Sequence, residues 1–129
     1  MDEIDAKILS ILKKDSRTKY VKIAEIVGLT EGAVRRRIKK LVERGIIRRF
    51  TIETTSEVEG IILIKTDPTK TREVVSKIRG IADKVFELSG GYDIAAFIQT
   101  QTIEELNRKV DEVRAIPAVL DTNTLIRLL

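Results

Sequence analysis

Apolar residues in the first third of the chain recur with helical spacing. Ile4, Ile8, Ile11 and Leu12 fall at i, i+4, i+7 and i+8, which predicts an amphipathic helix over residues 3–14. Asp2 and Asp5 suit the positive end of its dipole, and Lys13 and Lys14 suit the negative end. Asp15–Thr18 is a connector. A short second helix, about residues 19–27, turns Tyr20, Ile23, Ala24 and Val27 inward. Gly28-Leu29 makes a tight turn, because glycine accepts the backbone conformation that ends a helix. Thr30 is an N-cap for a third helix over 31–44, whose apolar stripe is Val34, Ile38, Leu41 and Val42.

After Gly45 the period changes. Ile47–Ile52 is β-branched and aromatic and predicts a strand. Thr54–Glu57 is short, polar and aperiodic, the best linker in the chain. Beyond it the pattern predicts a strand at 61–64, a helix at 69–79 opened by Asp67-Pro68-Thr69, and strands at 85–89 and 94–100. A helix at 102–114 with the stripe Ile103, Leu106, Val110 and Val113 follows, then Pro117 and a last strand at 120–129. The fold class is therefore α+β. A winged-type helix-turn-helix domain at 1–53 is joined by a linker at 54–58 to a ferredoxin-like βαββαβ domain at 59–129. That order makes an antiparallel four-stranded sheet with both helices on one face. The other face needs a partner, and sheet-to-sheet dimerisation is the natural one.

Charge sharpens the division. Residues 1–53 hold 14 Lys/Arg against 8 Asp/Glu, a net of +6, whereas residues 54–129 hold 10 against 12, a net of −2. A basic helical half attracts polyanions, of which nucleic acid is the commonest. The 129 residues include no Cys and no His. That excludes disulfides, thiolate or imidazole metal sites, and Cys or Ser-His nucleophiles. No catalytic residue, metal site or cofactor is expected. No apolar run reaches a membrane span, and the acidic start is unlike a signal peptide, so the expected location is cytoplasmic. Abundant charge, frequent Ile and few thermolabile residue types suit a thermophile.

Three helices with a Gly-containing turn before the third match a helix-turn-helix. With Ile38 at the centre of the buried stripe, a 100° step per residue sends Gly32, Arg36, Lys40 and Glu43 outward and puts Arg37, Lys39 and Arg44 on the flanks. Glu31-Gly32-Ala33 leaves room for close approach to base edges. Arg36 has the reach and geometry for a guanine edge, and Lys40 suits a phosphate. A lone basic helix is most simply a solvated face. One preceded by a helix and turn at this spacing favours double-stranded DNA.

The run Leu29–Leu41 with Arg44-Gly45-Ile46-Ile47 resembles the recognition segment of the Lrp/AsnC transcription regulators. Ile4–Leu9, Asp15-Ser16-Arg17 and Ile23–Leu29 resemble the same family's first two helices, and Gly91-Tyr92-Asp93 its effector loop. The resemblance implies a regulator, archaeal in kind, whose dimers form through their sheets and assemble further to octamers. It also implies a small-molecule effector, an amino acid or similar metabolite, held between subunits. The candidate DNA contacts are then Arg17, Thr18, Thr30, Glu31, Gly32, Ala33, Arg35, Arg36, Arg37 and Lys40. The candidate effector residues are Gly90, Gly91, Tyr92, Asp93, Thr122 and Thr124.

On spacing alone Gly90-Gly91 is an ordinary hairpin turn. The effector reading needs backbone N–H groups for a carboxylate and Asp93 for an ammonium, with the Thr122 and Thr124 hydroxyls in the same pocket. Gly91→Val is then expected to break the loop by excluding positive φ. Three rivals stand beside the regulator: a small enzyme of ferredoxin-like fold, which without His or Cys would depend on carboxylates or Lys and shows no close pair of them; a stand-alone metabolite sensor; and an RNA-binding protein on the same sheet plan. The last requires stacking aromatics on two central strands, where only Phe86 and Phe97 are available.

Overall fold

A computed structural model describes residues 1–128. The chain divides into two compact units, Met1–Thr54 and Thr55–Leu129.

The first unit is three helices: α1 (Glu3–Lys14), α2 (Tyr20–Val27) and α3 (Glu31–Glu43). Two of the three starts, those of α1 and α3, are set by a side-chain cap. Asp2 caps α1 by accepting the Asp5 N–H, and Thr30 caps α3 by accepting the Ala33 N–H. Gly28 ends α2 at φ +74°, a left-handed conformation that costs a side-chain-bearing residue about 1–2 kcal/mol. Ile8 and Leu12 of α1, Ile23 and Ala24 of α2, and Val34 and Ile38 of α3 form one buried cluster. Val42, expected in that stripe, is instead 46% exposed, and Leu41 is the last buried residue of α3. The expected strand at Ile47–Ile52 is absent: the segment has no regular structure. A ladder needs a second strand, and among the described residues this unit has none. Ile47 packs on the helical cluster, whereas Phe50 and Ile52 are exposed.

The second unit runs β1 (Val58–Thr66), α4 (Thr71–Ile78), β2 (Lys84–Glu87), β3 (Ile94–Thr100), α5 (Ile103–Arg114) and β4 (Val119–Ile126). The sheet order is β2-β3-β1-β4, with each neighbouring pair antiparallel. The expected last strand ends earlier, at Ile126, and Leu129 lies outside the described residues. Helix α4 starts two residues later than its signal, because Asp67 first closes a turn. Its carboxylate accepts the Thr69 N–H and hydroxyl at 3.0 and 2.8 Å, and these bonds hold it below the usual carboxylate range.

Alternation along β1 and β3 builds the core. Ile62, Ile64, Ile94, Ala96 and Ile98 are buried with Val74, Val75 and Ile78 of α4 and Leu106, Val110 and Val113 of α5. Ile103, expected in the α5 stripe, is 40% exposed. The other sheet face has no helix over it in this unit. One row across it reads Lys84, Phe97, Ile61, Leu125, and the next reads Phe86, Ala95, Leu63, Asn123.

The link from α5 to β4 is strained. The Val119 N–H reaches the Ile116 carbonyl at 3.2 Å across Pro117-Ala118, and Ala118 sits at φ +76°. That is the third position of a turn that favours glycine. Ala118→Gly is expected to raise stability by about 0.5–1 kcal/mol, relief of left-handed strain outweighing the added freedom of the unfolded chain. Thermal or urea unfolding checks this, and a lower midpoint contradicts it.

Candidate functional site

The DNA-reading candidate is α3. Its cap is the Thr30 hydroxyl, which accepts the Ala33 N–H at 3.1 Å. Val34, Ile38 and Leu41 seat it in the unit, leaving Gly32, Arg36 and Lys40 exposed on the far side. A Cβ built on Gly32 would touch only the Arg36 guanidinium, at 3.5 Å, so this end of the helix stays slim.

The three consecutive arginines point to three environments. Arg35 pairs with Glu31 at 2.6 Å and lies 5.0 Å over the Tyr20 ring. Arg37 turns towards α1 and donates from Nη1 to Asp2 Oδ2 at 2.7 Å and to Asp5 Oδ1 at 3.1 Å. Among the described residues Arg36 and Lys40 make no ion pair. The expectation that Arg37 belongs to the DNA face is thus at odds with its contacts, since Asp2 and Asp5 hold its Nη1 towards α1. The Arg37 hydrogen bond, followed by that of the Asp5 N–H, holds Asp2 below the usual carboxylate range. Between the start of α1 and α3 lies an open cleft of about 400 Å³, with Asp2 and Asp5 on one wall and Arg36, Arg37, Lys40 and Arg44 on the other.

The connector residues have local jobs as well. The Arg17 N–H donates to the Asp15 carboxylate at 2.9 Å, and the Thr18 hydroxyl donates to the Asp15 carbonyl at 2.7 Å. The Arg17 side chain remains exposed. Asp2, Asp5 and Tyr20 hold basic side chains of α3. Nothing in the sequence pattern named them for that task, because the Asp2–Arg37 contact spans 35 residues.

The Gly90–Asp93 loop joins β2 to β3. Gly90 has φ +124°, whereas Gly91 has no left-handed backbone, so the strain expected of a side chain at Gly91 belongs to Gly90. Asp93 is anchored in the sheet by three hydrogen bonds. Its N–H donates to the Ile64 carbonyl at 2.9 Å, and its carbonyl accepts the Leu88 N–H at 2.8 Å. Its Oδ2 accepts the Thr66 N–H at 2.8 Å. That last N–H sits at a register shift between Lys65 and Thr66, where β1 and β4 fall out of step. One oxygen of the carboxylate expected for an ammonium is therefore a backbone partner, Oδ2. Tyr92 lies 5.5 Å from the Lys65 ammonium.

Thr122 and Thr124 do not share a pocket with Tyr92 in this chain. They stand opposite Ile64 and Ile62, on the helix-covered face, whereas Lys65 is on the other. Arg114 donates to the Thr122 hydroxyl at 3.1 Å.

An exposed basic third helix, seated on two others and preceded by a left-handed Gly turn, defines a helix-turn-helix DNA-binding protein. The AsnC-type helix-turn-helix domain model matches residues 1–42. The regulator LysM of Sulfurisphaera tokodaii is 41% identical over 99% of this chain and 95% of its own. The regulator FL11 of Pyrococcus abyssi is 40% identical over 99% of this chain and 89% of its own. In fold, the chain matches the transcriptional regulator of Neisseria meningitidis solved with L-Met, at a TM-score of 0.82 and 22% identity, covering 100% of this chain and 90% of that one. The chain belongs to the Lrp/AsnC family of transcription regulators. It is a DNA-binding regulator and not an enzyme.

Two outcomes follow for the side chains above. Arg36→Ala is expected to relax sequence preference and cost about 1–3 kcal/mol of binding, whereas Lys40→Ala weakens all duplexes alike and lowers the salt slope by about one. Binding isotherms on a selected and a random duplex at several salt concentrations separate them. Asp93→Ala leaves the N–H of buried Thr66 without its acceptor and is expected to cost about 1–3 kcal/mol of stability. Asp93→Asn keeps an oxygen there and is expected to retain most of it, which a melting series on both variants checks.

Proposed function

We propose that this regulator works as a homodimer joined through the uncovered face of its sheet, with further assembly up to an octamer. In this reading it changes its assembly or its DNA binding when an amino acid or similar small metabolite binds between copies at the Gly90–Asp93 loop. The observation that carries the dimer is the apolar face itself. Ile61, Leu63, Ala95 and Phe97 lie together on the two central strands, with Phe86 and Leu125 beside them, and Ile61, Phe86 and Leu125 are exposed. A two-fold contact buries that surface with one self-complementary patch. It also supplies two copies of α3, so the operator should be a pseudo-palindrome with half-sites about 34 Å or a multiple apart.

The amino-acid reading is supported by the family's implied effector loop and by the regulator of matching fold solved with L-Met. With Asp93 Oδ2 engaged by Thr66, the groups left for a ligand are Asp93 Oδ1, the backbone of Gly90 and Gly91 and the side chain of Tyr92. RNA binding has less support: Phe97 is on a central strand, but Phe86 is on the edge strand β2, and β1 offers no outward aromatic.

Sedimentation of the wild type and of Leu63→Arg at micromolar concentration tests the interface. The expected result is a dimer or larger species for the wild type and a folded monomer for the variant. A wild-type monomer overturns the reading. A calorimetric screen of the common amino acids, repeated on Gly90→Val, tests the loop. Binding by the wild type that the variant loses is expected, and no binding to the wild type sinks the effector claim.

A further inference from the structure

We propose that Arg37 takes no DNA phosphate and is instead a positioning residue, which with Asp2 and Asp5 fixes the setting of the recognition helix against α1. The inference rests on the DNA-binding role of α3 and assigns a second layer behind it.

The contacts are directional where the packing is not. Val34 and Ile38 seat α3 by apolar burial, which depends on area and tolerates small rotations and slides. A charge-assisted hydrogen bond fixes distance and angle. The Arg37 Nη1 lies 2.7 Å from Asp2 and 3.1 Å from Asp5, so one donor group is held from two points on α1. Asp2 is itself fixed, because its other oxygen accepts the Asp5 N–H at 2.8 Å as the helix cap. The Asp5 side chain is only 13% exposed, so its end of the bridge is set into the unit rather than waving in solvent. Arg36 is the next residue along the helix. A small rotation of α3 about its axis would carry the Arg36 guanidinium off a base edge by more than a hydrogen bond tolerates.

The same contacts argue against a phosphate at Arg37. A phosphate taken up by the remaining Nε or Nη2 would sit beside two carboxylates, since both Asp2 and Asp5 stay on the cleft wall with Nη1 bound to them. Like charges at that range repel.

The two roles predict opposite signs for one variant. Asp2→Asn with Asp5→Asn removes two negative charges beside the DNA face and keeps a capping oxygen at residue 2. Were Arg37 a phosphate ligand, the variant would free it, tighten binding and steepen the salt dependence. The positioning role predicts that affinity for a duplex selected by the wild type from a random pool falls about fivefold or more, while random-duplex affinity and the salt slope hold. Arg37→Met is expected to reproduce that loss. The triple variant is expected to be no worse than Arg37→Met, because all three changes remove one device. Melting curves establish that each variant is folded at the assay temperature, and Arg37→Met with both aspartates intact serves as the independent arm. Tighter binding by the aspartate variant, a salt slope lowered by about one in Arg37→Met, or unchanged discrimination in both overturns the inference. A wild type that selects no duplex overturns it together with the DNA-binding reading.

Discussion

A four-stranded sheet has two faces, and two helices on one side cover only one of them. In β1 the consequence is plain. Ile62 and Ile64 are buried under α4 and α5, but the residues between and before them, Leu63 and Ile61, are apolar as well. A strand built for water on its second face would alternate with polar residues. Polarity returns at the margins of the open face: Lys84 and Asn123 on the edge strands, Glu59 with Gln99 and Arg127 at one end, and Lys65 with Tyr92 at the other. The Arg127 hydrogen bond to Glu59 holds that carboxyl below its ordinary value. An apolar centre with a polar rim is the anatomy of an interface core. In the proposed dimer, the pairing of the third helices, a two-fold operator and a ligand site between copies would all descend from this one uncovered surface.

The recognition helix carries its own economy of charge. Five of its residues are basic, at positions 35, 36, 37, 39 and 40. Counting all of them as DNA contacts overstates the polyanion footprint. Glu31 and the Tyr20 ring hold Arg35, and α1 holds Arg37, so part of the charge works inside the unit. Arg36 and Lys40, one turn apart on the outer side, make no ion pair among the described residues and are the pair proposed for the groove.

The parts legible in the sequence were those set by local chemistry. Helix α1 and strand β3 have the predicted bounds, 3–14 and 94–100, because a 3.6-residue stripe and a strict alternation are local signals. What failed depends on partners far along the chain. Ile47–Ile52 has the composition of a strand but no ladder to join. Thr122 and Thr124 share one face of β4, as a period of two dictates, yet which face is a matter of register, and a one-residue slip exchanges the two faces. The Arg37 contacts join residues 35 and 32 positions apart, beyond any periodicity. Ala118 gives no warning at all, since a left-handed alanine is indistinguishable in sequence from a relaxed one.

The proposed effector loop raises a different physical question, which is how occupancy there could reach the rest of its unit. The loop is not a free hairpin. Asp93 grips the Thr66 N–H, the Thr66 hydroxyl lies 2.7 Å from that of Thr71 at the first turn of α4, and the Asp67 N–H donates to the carbonyl of strained Ala118 at 2.9 Å. The loop, the shifted end of β1, the start of α4 and the entry to β4 thus meet within a few residues. Contiguity of this kind is not coupling; a ligand moves an equilibrium only by its difference in affinity between two states. The sheet supplies the candidate states, because the open face is either paired with another copy or exposed. The loop leads directly into β3, whose Ala95 and Phe97 lie on that face. A ligand that orders Gly90 and Gly91 in one assembly better than in another therefore acts where the loop and the interface share a strand, and it needs no path through the buried core.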